Sequence, residues 1–276
     1  MTARRLLGLL CVCVCATALV GCGGDTFALD PVASAANTTA ETESARIAFS
    51  ATMNAGNLGN MSFQGRGIYD GRSKTGWMNM TFSLPPQAQA QVSGKPSMEM
   101  IFDGSDGFVM YMRTSAVPGM PTDKWLKMDL VKLADNAGVD LGALMNANQA
   151  DPNQSLRMLM ASTGARPTGS ERIRGVRTTR YAFRVDLKRL ADDNEALRES
   201  LEKVIDMVGV DTYPAQAWID AQGRVRRMKV TMSFGAQFGT PISMTLTEDL
   251  YDFGVRATIF PPPDDQVVDL SSFVSG

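Results

Sequence analysis

The chain has 276 residues, of which 44% are hydrophobic and 20% charged, with a formal net charge of −2 and not one histidine. That balance gives no reason to expect a nucleic-acid partner. The missing imidazole removes the commonest general base, the commonest metal ligand and any Ser-His-Asp triad.

Arg4 and Arg5 open the chain, and "LLGLLCVCVCATALV" follows as an apolar run of about 15 residues, too short to span a bilayer and suited to a signal peptide. It ends in Leu19-Val20-Gly21-Cys22, the pattern of a bacterial lipobox, in which small residues precede a cysteine that becomes lipid-modified. All 4 cysteines (Cys11, Cys13, Cys15, Cys22) lie in this leader or at its end, so the rest of the chain has no disulfide and depends on its core. The expected organisation is a leader over 1–21, a tether over 22–29 from lipidated Cys22, and one domain over 30–276. The expected site is the extracytoplasmic face of the cell membrane, held through the N-terminal lipid.

Asp30 followed by Pro31 reads as a helix cap and a first helical residue. "ARIAFSATMN" then alternates, with Ile47, Phe49, Ala51 and Met53 on one face. "NMSFQGRGIYD" and "KTGWMNMTFSL" read as strands joined across Asp70-Gly71, and "SMEMIFD" and "GFVMYMR" as the next pair. A polar loop at 84–96 separates these pairs, and "DKWLKM" makes a sixth strand. Helical spacing follows in "DLVKLADNAG", from Asp129 to Gly138, and in "LGALMNAN" and "DPNQSLRMLMAST", where Leu156, Leu159 and Met160 share a side. "ERIRGVRTTRYAFRVDL" returns to sheet. "DDNEALRESLEKVIDMVG" is an amphipathic helix with Leu197, Leu201, Val204, Ile205 and Val208 in one stripe. Two hairpin arms flank Gln222-Gly223, "PISMTLTEDLYDFG" closes the sheet, and a proline-broken tail ends the chain. The fold class expected is α+β: one large antiparallel sheet of about ten or eleven strands, curled into a half-open barrel, with helices covering its concave face.

Lipobox, helix, meander, helical insertion and returning meander together resemble the LolA/LolB-like lipoprotein fold, within it the actinobacterial lipoproteins of the LppX and LprG type. The resemblance rests on 170–187, 214–230 and 250–270 and on the entry "LDPVASAANTTAETESARIAFSATM". It implies a concave face that holds acyl chains, and supplies no catalytic signature and no transferable ligand residue.

The candidate wall therefore comes from alternation alone. There are 18 methionines, and many fall at alternate strand positions, on a face that reads as methionine-rich and glycine-poor. The ligand-binding set is Met78, Met80, Phe82, Met98, Met100, Met110, Met112, Met228, Met232 and Met244. Methionine is flexible and polarizable, and suits a surface that repacks around different apolar ligands. The same residues could equally fill gaps in an ordinary core, and only the resemblance favours the pocket.

Other chemistry is thin. Ser73 and Lys74 suggest a Ser-Lys hydrolase only on paper, since a solvated turn offers nothing to depress a lysine pKa. Asp192-Asp193 reads as a helix cap, Asp264-Asp265 as part of a polar tail, and "GRVRR" (223–227) as a solvated edge with a basic side toward anionic headgroups. The expectation is a protein without enzymatic activity, cofactor or metal, that binds lipids or other hydrophobic molecules non-covalently and carries them in the cell envelope. A transporter or other envelope protein is a further expected partner. The alternative is an envelope sensor or scaffold whose core is filled and which binds a protein.

Overall fold

The computed structural model describes residues 30–269 except 55, 57, 58, 91, 93, 106–108, 116–120, 130–155, 157, 158, 160, 161, 193–197, 200, 203, 204, 207, 208 and 235–241. Helix α1 (Pro31–Ala40) starts where Asp30 accepts from the backbone N–H groups of Val32 and Ala33, with Pro31 in the first turn. Strands β1 (Ser44–Asn54), β2 (Asn60–Asp70) and β3 (Thr75–Ser83) come next, and then the single-turn helix α2 (Pro86–Gln89) inside the polar loop. Strands β4 (Ser97–Asp103), β5 (Val109–Thr114) and β6 (Trp125–Asp129) complete the first meander. After the insertion come β7 (Ser162–Ile173), β8 (Val176–Asp186), helix α3 (Leu187–Asp192), β9 (Thr212–Asp220), β10 (Val225–Phe234) and β11 (Ile242–Tyr251). A 3-10 turn (Asp264–Gln266) leads into β12 (Val267–Asp269).

These form one twelve-stranded sheet in the order β12-β6-β5-β4-β3-β2-β1-β11-β10-β9-β8-β7. It is curled and unclosed, an α+β half-open barrel. Part of the curl is written in glycines. A Cβ on Gly65 would stand 2.4 Å from the Phe49 ring, and one on Gly67 would stand 2.6 Å from the backbone oxygen of Trp77. Strand β2 can approach β3 this closely only without side chains there. Both glycines point to the face that bears the methionines, so that face is not glycine-poor at β2.

The two faces are covered differently. On the inner face, α1 lays Val32, Ala35 and Ala36 against a buried cluster of Ile47, Phe183, Val185, Ala215, Ala217, Val225, Met228, Val230 and Leu250. Leu156 and Leu159 of the insertion are also fully buried there, with Leu201 and Ile205 partly so. Thr39 pins the helix down: its hydroxyl donates to Ala35 O at 2.6 Å and accepts the Val225 N–H at 2.8 Å. On the outer face, Ile101, Tyr111 and Trp125 pack with Trp77, Val109, Ile259 and Val267.

Several departures from the sequence reading have plain causes. The tail is structural: Arg72 holds Val255 O at 2.9 Å, Asp70 accepts from Ala257 N at 3.3 Å, and β12 pairs in parallel with β6. Its prolines are compatible because an extended crossing over the outer face needs few N–H donors. Strand β7 begins at Ser162, well before the expected return to sheet, and its ladder shifts register around Gly164 and between Pro167 and Gly169. Breakers of that kind are tolerated because β7 is an edge. At Asp70-Gly71 the left-handed residue is Lys74 (φ 54°), whereas Gly71 is needed because a Cβ would sit 2.6 Å from Glu43 O. "GRVRR" is not an edge at all, since β10 lies between β9 and β11. Asp129, expected to cap a helix, instead ends β6, and the rest of "DLVKLADNAG", the "LGALMNAN" helix, and Met160, Leu197, Val204 and Val208 lie outside the described residues.

Candidate hydrophobic site on the inner face

Opposed residues of adjacent strands share a face, as do residues two apart on one strand. Applying this to the register traces every methionine among the described residues. Met53 faces Met61 and Met244, and Met244 faces Met232, four residues beyond Met228 on the same face. Met78 faces Met100 and Met80 faces Met98. Met100 faces Met112, and Met110 lies between Phe102 and Met128. All stand on the inner face with α1, whereas alternation alone would put about half on each side.

The site set is thus brought together, with Phe82 at one border. Phe82 opposes Phe63, and the rings of Phe49, Phe63 and Phe82 form a chain with centroids 6.1 and 6.3 Å apart. Met53, Met61, Met128, Phe49, Phe63 and Phe102 belong to the same wall and were not in the sequence set. The alternation of "NMSFQG" and "KWLKM" carried the signal for Met61 and Met128. The set is not uniform, however. Met228 is 3% exposed inside the buried cluster under α1, and Met232 packs at its margin. Met78, Met80, Met98, Met100, Met110 and Met112 are only half-buried.

This contrast separates residue types by environment. Where the core is packed, under α1 and under the tail, the side chains are chiefly branched, aromatic or small. Such residues specify one arrangement. Where the wall is half-buried, over β2 to β6, they are chiefly methionines and phenylalanines, with the fully buried Leu126 opposite Met112, set beside the inner-facing glycines, Gly65 opposite Met80 and Gly67 opposite Met78.

The outer face carries charge. Asp249 accepts from Arg227 at 2.6 and 2.9 Å and from Arg174 at 3.2 Å, while the Trp77 indole N–H donates to Glu99, which also pairs with Arg113. Donating to the Asp249 carboxylate pushes the Arg227 guanidinium pKa up. Open polar troughs run over this face. One of about 580 Å³ is lined by Arg166, Arg184, Gln216 and Lys229, and one of about 460 Å³ by Arg66, Arg174, Arg227 and Asp249. Ser73 Oγ sits 2.7 Å from Thr75 Oγ1, with Lys74 exposed beside it on the turn. Arg224 and Arg226, expected on a solvated edge, both pair with Asp220. Cys22 lies outside the described residues.

No family model matches this chain, and no curated protein matches it. Among solved structures it is similar to LprF from Mycobacterium bovis, with 12% identity over 85% of this chain and 96% of that one and a TM-score of 0.47. The lipoprotein LppX from Mycobacterium tuberculosis aligns at 13% identity over 86% and 100%, with a TM-score of 0.38. A LolA superfamily protein from Nitrosomonas europaea aligns at 8% identity over 83% and 93%, with a TM-score of 0.29. These are the kinds of protein that the turns and alternation of the sequence resembled.

Proposed function

We propose that this chain is a lipid-anchored envelope lipoprotein that binds acyl chains or other hydrophobic molecules non-covalently on its inner face and carries them in the cell envelope. The observation that carries the reading is the half-buried methionine wall over β2 to β6, apart from the rigid packing under α1. Burying about ten methylenes at about 0.8 kcal/mol each is enough for micromolar binding after ordering costs. The work is sequestration, so no covalent step is needed. The leader and Cys22 supply the attachment.

One variant tests both halves. Cys22→Ser should leave the membrane fraction and appear soluble outside the cell. Organic extraction of that soluble protein, followed by mass spectrometry, should release an acyl-containing molecule, with no anchor lipid to confuse the count. Sedimentation with membranes after a salt wash would reveal a second membrane-binding surface. An empty extract would favour the scaffold with a filled core.

Oxidation gives an independent check. Sulfoxides turn a flexible apolar wall polar. Mild peroxide should oxidise the half-buried Met80, Met100 and Met112 before the buried Met228, and binding of a fluorescent fatty acid should fall before the fold is lost. Methionine sulfoxide reductase should restore it. Binding that declines only together with near-UV circular dichroism would contradict the wall as placed here.

A further inference from the structure

Tyr213 is a polar group in the wrong place for a purely structural residue. It is 4% exposed, within the apolar cluster under α1, and among the described residues its buried hydroxyl has no hydrogen-bond partner. Burial alone pushes its pKa up to about 12, so the group is a neutral phenol at any physiological pH. A phenylalanine would fill the same space without stranding a donor, and a buried group left unmade is one that calls for a partner.

The register shows where that partner would come from. On β9, Tyr213 opposes Val185 of β8. The β9–β10 pairing ends at Ala215 opposite Val230, and continuing it by two residues puts Met232 beside Tyr213. From Met232 the same cross-strand row runs to Met244, Met53 and Met61. Four strand spacings separate Tyr213 from Met61, about 19 Å. This half-buried thioether row joins the wall of β2 to β6 at Met61 and is long enough for an extended fatty chain, with one hydroxyl at its buried end. Building on the acyl-binding reading above, we propose that the Tyr213 hydroxyl donates to the carbonyl oxygen of a bound fatty acyl group whose chain lies across Met232, Met244, Met53 and Met61. The site would take a free fatty acid or an acyl ester, and would select against chains that lack a carbonyl.

A matched pair of ligands isolates that hydrogen bond. 1-Palmitoylglycerol and 1-hexadecylglycerol differ at the linkage by one carbonyl oxygen, and each can be titrated against a bound naphthylamine probe on the delipidated full chain. The wild type should prefer the ester by about fivefold, and Tyr213→Phe should lose the preference while binding the ether as before. Palmitic acid in a third arm separates the sources: an effect of the variant on the acid alone assigns a free fatty acid, on the ester alone an acyl lipid. Without ligand, Tyr213→Phe should unfold at an unchanged or higher temperature, because it removes an unpaired donor. No ester preference in the wild type together with palmitic acid binding that Tyr213→Phe leaves unchanged, an ester preference that survives in Tyr213→Phe, or a lowered unfolding temperature in the ligand-free variant would each overturn the inference. A wild type that binds none of the three ligands defeats the acyl-binding reading itself, and this inference with it.

Discussion

Asp220→Ala is expected to lower the free energy of unfolding by about 3–5 kcal/mol, because it removes a fully buried acceptor from two backbone N–H groups and leaves two half-buried arginines without their counterion. The Asp220 side chain is fully buried at the end of β9. It accepts from the backbone N–H groups of Gln222 and Arg224 at 2.9 and 3.0 Å, and from the guanidinium groups of Arg226 at 2.6 Å and Arg224 at 3.2 Å. Burial pushes its pKa up, but the Arg224 amide and the Arg226 guanidinium outweigh that and hold it below the ordinary carboxylate value. A depressed folded pKa stabilises the fold above the unfolded value, near 3.9, and that contribution is lost as pH falls through the folded pKa. The gap between wild type and variant in urea unfolding should therefore be widest near neutrality and should shrink below about pH 4. Asp220→Asn keeps acceptors for the two amides and should cost less than the alanine change. A variant as stable as wild type at pH 7 would show that the arginines simply turn to solvent.

That cluster also shows how the inner face is set. A bulge lies between Val225 and Arg227, so Val225 points inward to α1 while Arg226 and Arg227 both stay outside, one on Asp220 and one on Asp249. The same bulge presents the Val225 N–H to Thr39. The end of β10 under α1 is thus registered by salt bridges on the opposite side of the sheet.

Much of this was legible in the sequence where local chemistry and tertiary packing agree. Asp30-Pro31 dictates a helix start, and the strict alternation of β1, β3, β4 and β5 names the inner face residue by residue. The methionine habit of "FVMYMR" was visible as a pattern. What it could not reveal is that Met228, at the same alternation, sits under a helix and is packed, because coverage by α1 depends on contacts far along the chain. The failures share that origin. Glycine and proline in "STGARPTGS" argue against a strand unless it is known to be an edge, and the pairing of β12 with β6 depends on apolar outer-face residues that alternation reads as solvent-side. Tyr213 was missed because a lone tyrosine in "DTYPAQ" carries no signal until its surroundings prove apolar.

The contrast within the methionines gives the most direct decision between wall and core. Met228→Ala is expected to cost about 2–5 kcal/mol, since truncation in a packed cluster loses transfer energy and leaves a cavity. Met80→Ala and Met110→Ala should each cost under about 1.5 kcal/mol, because their half-buried side chains have fewer packed atoms to lose. Enlarging them should separate the environments again. Tryptophan at Met228 overfills the space beneath α1 and should destabilise by about 1–3 kcal/mol or more. At Met80 or Met110 it should be tolerated and should reduce the amount of lipid extracted with the protein. Urea unfolding and lipid extraction on the same six variants report the two quantities separately. If Met80→Ala and Met110→Ala lose as much stability as Met228→Ala while lipid content is unchanged, the methionines are core and the carrier reading has no wall to stand on. If stability follows burial and lipid follows Met80 and Met110, the flexible side chains are where the ligand lies. The branched residues under α1 then hold the sheet that presents them.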